Sequence, residues 1–405
     1  MAPRIPLAHV TASAVAAPDL RRSLRPLGLL TSGHLVTDLA QGSVPALLPF
    51  LRTELDLSYT RTAAIMLAAT VASSFVQPFF GYLFDKRKGD WLLVAGPALA
   101  GVGIGLLAFV HTFELALLCV LASSVGVAAF HPEASKFAAW LSGERRSTAM
   151  SVFSVGGNLG VAIGPLLAGL IAAHYGLGGV WLLAIPGLVI AGVQLAGLAA
   201  LGGATAHARV ATALAGRDRW GATGLLLVAL TVRGYVHFGL LTFIPLFEHD
   251  SRDTSSEYGS RVLALMLFAG AVGTLVVGPL ADRHGRRLML TLTFATAVPG
   301  VALYLANPGA LGLAGIAFAG AGIISTFGIT IVLSQEYLPT RLATAAGLSI
   351  GLSIGLGGAA SFGIGRLADS IGLTDALWTI PPAALLGTAL CVLLPAPDPP
   401  QRAPT

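Results

Sequence analysis

A helix needs about 20 consecutive apolar residues to cross the hydrocarbon core of a bilayer, and this chain supplies such a run again and again. The runs lie near 27–50, 60–84, 91–111, 113–141, 148–172 and 178–201, and then near 220–247, 260–282, 288–306, 309–337, 341–369 and 374–395. Only 11% of the 405 residues are charged against 55% hydrophobic, and no water-soluble chain of this size needs so few charges. The 50 glycines fit the same reading, because small residues let helices approach closely where lipid replaces water. The expectation is an all-α membrane protein of twelve transmembrane helices embedded in a lipid bilayer.

A net charge of +5 could suggest a nucleic-acid partner, but the basic residues sit in short clusters between the apolar runs, which is the mark of topology. Eighteen Lys and Arg fall on the side that carries the tails, the 85–90 loop, the 136–146 stretch and the 202–219 segment, against five on the other. By the positive-inside rule both termini face the cytoplasm, and no nucleic acid is expected. The Ala-rich residues before Arg21, Arg22 and Arg25 read as a cytoplasmic tail, not as a cleaved signal. Cys119 and Cys391 lie within apolar runs and read as small core residues.

The two sets of six runs are related. "ALLPFL" around Pro49 returns as "TFIPLF" around Pro245, 196 residues later; Asp85 aligns with Asp282 at 197, and Arg145 with Arg341 at 196. Three near-equal offsets imply an internal repeat in parallel relation. The chain then divides into a tail (1–26), a first six-helix half (27–201), a Gly/Ala/Arg-rich linker (202–219), a second half (220–395) and a short tail (396–405).

Ionisable residues within spans are costly and therefore mark function by default, at ~2.5–3.5 kcal/mol for an acid on insertion scales. His34 and Asp38 are four apart on one face of the first span, with Asp38 near the midplane. Asp38 is the first candidate for proton binding; a structural hydrogen bond that locks the helix is the competing account. In the fourth span, Glu133 and Lys136 are three apart and able to pair, whereas His131 points toward the Ser135 face and Pro132 bends the helix. His131 and Glu133 join the proton-carrier candidates. Lys136 is either a substrate ligand or a side chain that snorkels to the headgroups. In the seventh span Arg233 and His237, again four apart, are the other substrate-binding candidates, since a guanidinium at that depth calls for an anion from Asp38, Glu133 or the substrate. Glu336 reads as interfacial.

Residues 278–287, "GPLADRHGRR", match at every defined position the loop signature G-x-L-A-D-R-x-G-R-R of the major facilitator superfamily, and the six-plus-six repeat is also similar to that superfamily. The resemblance implies two pseudo-symmetric halves and a conformational latch at Gly278, Asp282, Arg283, Gly285, Arg286 and Arg287. Gly278 is expected to permit close helix contact, and Asp282 to accept from Arg283 or from a helix N-terminus. The first-half copy keeps Gly81, Asp85 and Lys86 and lacks the final arginines, so its latch is expected to be weaker. Residues 156–169 resemble the glycine/proline pattern of antiporters, with Ala168 replacing one glycine; tight packing through Gly160, Gly164, Pro165 and Gly169 explains the pattern equally well.

"GHLVTDLAQGSVPALLPFL", "QPFFGYLFDKRKGDW", "FHPEASKFA" and "SVFSVGGNLGVAIGPLLAG" together resemble the fosmidomycin-resistance branch of the superfamily. That likeness implies proton-driven export of a small drug-like or phosphonate compound across the cell inner membrane, with Arg233 a candidate to hold two phosphonate oxygens. Import or facilitated passage of a small organic anion or sugar is the other reading. The sequence has no Gly-rich phosphate loop and no metal-spaced Cys/His set, so neither enzyme chemistry, nor a metal, nor a cofactor is expected; the working form is expected to be a monomer.

Overall fold

The computed structural model describes residues 20–84, 89–141, 146–201, 217–341, 344–345 and 348–396. The helices follow the apolar runs. The first half comprises α1 (Leu20–Glu54), α2 (Tyr59–Phe84), α3 (Leu92–Gly105, tightening to a 3-10 turn over Leu106–Phe109), α4 (Phe113–Leu141), α5 (Arg146–Tyr175) and α6 (Ala184–Leu201, entered through a 3-10 segment Leu177–Leu183). The second comprises α7 (Trp220–Asp250), α8 (Ser256–His284), α9 (Arg286–Ala295 and Ala297–Ala306), α10 (Ala310–Tyr337), α11 (Ser353–Ile371, preceded by a π turn Leu348–Leu352) and α12 (Leu373–Leu377 and Ile380–Leu393). Among the described residues nine helical units are long and apolar enough to cross a membrane. Leu118, Leu195, Leu275 and Leu393 stay exposed on their outer faces, as lipid-facing side chains must be.

The two halves are built alike. In the first, α1 packs on α5, α2 on α4, and α3 on both α4 and α6; in the second, α7 packs on α11, α8 on α10, and α9 on both α10 and α12. The halves meet along α1 and α7, α2 and α11, and α5 and α8. Glycine makes the tightest crossings possible. A Cβ on Gly164 of α5 would lie 2.8 Å from the Ser43 backbone nitrogen of α1, and one on Gly160 would lie 2.9 Å from the Leu39 nitrogen, inside ordinary contact, so the two backbones touch. Across the halves, a Cβ on Gly169 would lie 2.5 Å from the Ser260 side chain of α8. Pro165 is buried within this stretch of α5.

At the end where α1 stops, polar contacts tie the halves together. Arg52 Nη1 lies 3.1 Å from Asp250 Oδ2, and Arg52 covers the Tyr59 ring. The Asp369 carboxylate of α11 accepts from the backbone N–H groups of Tyr59 (2.8 Å) and Thr60 (2.9 Å), capping α2 as a carboxylate caps any positive helix N-terminus. At the opposite end, Asp218 ahead of α7 accepts from the Thr340 hydroxyl (2.6 Å) and Arg341 (3.2 Å). The Thr340 hydroxyl, with its backbone N–H and Arg341 adding, holds the Asp218 carboxyl below its usual range.

Candidate functional site

Three side chains from two helices converge inside the first half. Asp38 sits on α1, 7% exposed. Its Oδ1 is 2.8 Å from His131 Nε2 of α4, and its Oδ2 is 3.2 Å from His34 Nε2 one turn earlier on α1. The helical spacing accounts for His34. His131 comes from a second helix: α1 packs against α4 closely enough for the imidazole to reach across to Asp38.

The distal ring nitrogens decide how many protons the cluster holds. His34 Nδ1 lies 2.8 Å from the Phe153 carbonyl oxygen of α5, and the His34 and Phe153 rings stack with centroids 4.2 Å apart. A carbonyl only accepts, so His34 Nδ1 carries a hydrogen. The other nitrogen then faces an oxygen of a carboxylate, which when ionised also only accepts. Two lone pairs 3.2 Å apart repel, so one further proton must lie between His34 and Asp38, on the imidazole or on the carboxyl. His131 needs none beyond its own. Its Nδ1 is 3.3 Å from the Gln77 amide nitrogen of α2, which donates, leaving Nε2–H to donate to Asp38. The three ligand-type atoms lie within 4.8 Å of one another and as a donor set could take a divalent metal; a single proton already completes the hydrogen bonding.

Room for the cluster comes from Gly157 of α5. A Cβ there would lie 2.5 Å from His34 Nε2 and 2.6 Å from Asp38 Oδ2. Glu133, the other acid of the set, is 3% exposed and pairs with Lys136 at 2.6 Å, the pairing that the three-residue spacing allows.

A chamber of about 450 Å³ lies between the halves. Its first-half wall carries Gln41, Gly42, Pro45, Met66, Ala69, Thr70, Ser154, Asn158 and Val161; its second-half wall carries His237, Phe238, Leu241, Leu267, Ala271, Thr274, Ile324, Phe327, Gly328, Ile331 and Ile354. Of the three substrate-binding candidates only His237 is on this wall. Arg233 is 1% exposed, and its guanidinium lies over the Phe327 ring, 3.5 Å from the centroid, a cation–π contact of about 2 kcal/mol when desolvated. Phe327 belongs to the wall and Arg233 does not. One turn on α7 separates Arg233 from His237, but the ring of α10 takes up the guanidinium. Lys136 is drawn to Glu133 and is likewise not a wall residue.

Sequence reading passed over Gln41, Gln77, Phe153, Gly157, Asn158 and Phe327. A signal existed for three of them, because an amide inside an apolar run is itself a costly polar group that calls for a partner or a ligand.

At the far end of the second half, Asp282 accepts from Arg286 Nη2 (3.0 Å), and Arg286 Nη1 reaches Glu336 of α10 (2.5 Å). Arg287 donates to the Val392 carbonyl of α12. Asp282 takes Arg286 as its partner where Arg283 was expected; Arg286 is the first residue of α9, turned back toward Asp282 by the chain reversal at Gly285. Gly285 has φ +93°, a left-handed conformation that suits glycine and lets α8 end and α9 begin within one residue. Gly278 does not make the expected tight contact: among the described residues nothing lies within 4 Å of a Cβ built on it. Asp85 and Lys86 lie outside the described residues, as does the side-chain environment of Gly81.

Comparison with known proteins gives a consistent result. The Major Facilitator Superfamily model matches residues 30–361. The chain is 32% identical over 370 residues to the fosmidomycin resistance protein of Escherichia coli (strain K12), covering 89% of this chain and 90% of that one. It is 30% identical over 374 residues to the uncharacterized MFS-type transporter YfnC of Bacillus subtilis (strain 168), covering 90% and 91%. Two crystal structures share its fold: the nucleoside transporter NupG (TM-score 0.71, 15% identity, 91% of this chain and 98% of that chain), and a bacterial homologue of the human lysosomal transporter Spinster, inward-facing and unoccupied (TM-score 0.72, 14% identity, 93% and 98%).

Proposed function

Because the chain belongs to the Major Facilitator Superfamily, a family of multi-pass membrane transporters, we propose that it is a proton-coupled exporter of a small drug-like or phosphonate compound. It works by alternating access in the inner membrane, as a monomer with both termini in the cytoplasm. The observation that supports this reading best is the His34–Asp38–His131 cluster, which balances its hydrogen bonds only with one extra proton in place.

The cluster and the chamber share α1 and α5. Gln41 and Gly42 of the wall follow Asp38 by three and four residues on α1, and Ser154 and Asn158 each adjoin, along α5, the residues that touch the cluster, Phe153 and Gly157. When the proton leaves, the His34 lone pair and the Asp38 carboxylate repel. His34 is tied to α5 and Asp38 belongs to α1, so the α1–α5 crossing must adjust and carry the Ser154 and Asn158 wall with it. Only binding that differs between the two arrangements can couple proton to substrate, and here both sites act on the same two helices.

The test is reconstitution into liposomes that contain a pH-sensitive dye. Adding substrate under an imposed pH gradient is expected to collapse that gradient, at a rate that rises with protein content. Substrate flux without proton movement would refute coupling and leave a facilitator.

The contacts of Asp282, Arg286 and Glu336 favour the latch role. A residue that stabilises one conformation sets the rate of interconversion more than the affinity of the site. Asp282→Ala is expected to slow transport by about fivefold or more while substrate Kd stays within about threefold, as read by initial uptake rates beside equilibrium binding. Transport at the original rate removes the latch from Asp282.

A further inference from the structure

The chamber wall contains no Asp, Glu, Lys or Arg among the described residues, and His237 is its one titratable group. We infer that the chamber takes an uncharged ligand of drug size, an apolar body with hydrogen-bonding groups, and excludes a free phosphonate or a lipophilic cation. This narrows the exporter reading above and rests on it.

Size and lining agree with such a ligand. A volume of about 450 Å³ falls in the range of small-molecule pockets, which are apolar with a few placed polar groups. The placed groups are the amides of Gln41 and Asn158 on the first half and the His237 imidazole, 8% exposed, on the second. An amide both donates and accepts, so this set satisfies a carbonyl, hydroxyl or amide and does not neutralise a charge.

Charged ligands fail for different reasons. A phosphonate carries up to two negative charges, and burying them without a direct cation is strongly unfavourable. Arg233 would be the natural partner, but Phe327, not Arg233, lines the space. A cation meets the opposite difficulty. No acid lies among the described wall residues, Asp38 has one oxygen held by each of two imidazoles, and Glu133 is engaged with Lys136.

The experiment measures binding to the full chain in detergent, with no gradient present, so its outcome is independent of whether or in which direction protons move. Four probes are compared: chloramphenicol, fosmidomycin, the neutral diethyl ester of fosmidomycin, and tetraphenylphosphonium. At least one neutral probe is expected to bind about tenfold or more tightly than either charged one. Gln41→Leu with Asn158→Leu is expected to weaken that binding about tenfold and leave the melting curve of the ligand-free protein unchanged. Fosmidomycin binding as tightly as its ester in an Arg233-dependent way overturns the inference. So does failure of both neutral probes to bind.

Discussion

Asp38→Asn is expected to reduce gradient-driven transport by at least about a hundredfold while leaving the protein folded and able to bind substrate. The amide is close to isosteric with the carboxyl. Its oxygen can accept from His131 Nε2–H, and its NH₂ can donate to His34 Nε2 while His34 Nδ1 still donates to the Phe153 carbonyl. Every hydrogen bond of the cluster is then satisfied with no exchangeable charge, so the variant copies the proton-loaded form and has no means of leaving it. Exchange of substrate between the two sides of a vesicle, which needs no net proton movement, is expected to persist at substrate concentrations that offset the weaker affinity of the proton-loaded form. The measurement pairs uptake driven by an imposed pH gradient with counterflow at equal pH. If Asp38→Asn retains gradient-driven transport, the proton is carried elsewhere, and Glu133, buried against Lys136, is the next residue to replace.

The fold and half of the site could be read from the letters for a physical reason. Bilayer thickness dictates span length, and the energy of an acid in lipid flags Asp38 and Glu133 wherever they stand. Pairs on one helix follow from its pitch alone, which is why His34 with Asp38 and Glu133 with Lys136 were both legible. Contacts between helices were not. The contact of His131 with Asp38 was not legible because the fourth span by itself gives no hint that α1 lies within reach, and Phe153 and Gly157 matter only through the α1–α5 crossing. Arg233 shows the same limit from the other side. Its burial was legible and its contact with Phe327 was not, since whether a guanidinium meets an aromatic ring depends on α10, nearly a hundred residues downstream. The amides Gln41 and Asn158 were legible in principle and overlooked because they carry no charge.

The direction of transport has its own signature in the pH dependence of binding. In an exporter driven by proton entry, proton and substrate compete: the loaded cluster holds α1 and α5 in one arrangement and the empty cluster in another, and the substrate must favour the second. Chloramphenicol does not change its own charge across the neutral range, so any pH dependence of its affinity belongs to the protein. Linkage then sets the size of the effect. If binding displaces one proton, affinity tightens as pH rises by up to about tenfold per pH unit through the range in which the cluster titrates, and is flat on either side. The sign follows from mass action, because lowering the pH refills the cluster and opposes the substrate. In Asp38→Asn, where nothing remains to be displaced, the affinity is expected to be independent of pH. Affinity that instead strengthens on acidification reverses the assignment: the proton then helps the ligand to bind, both travel together, and the protein is an importer.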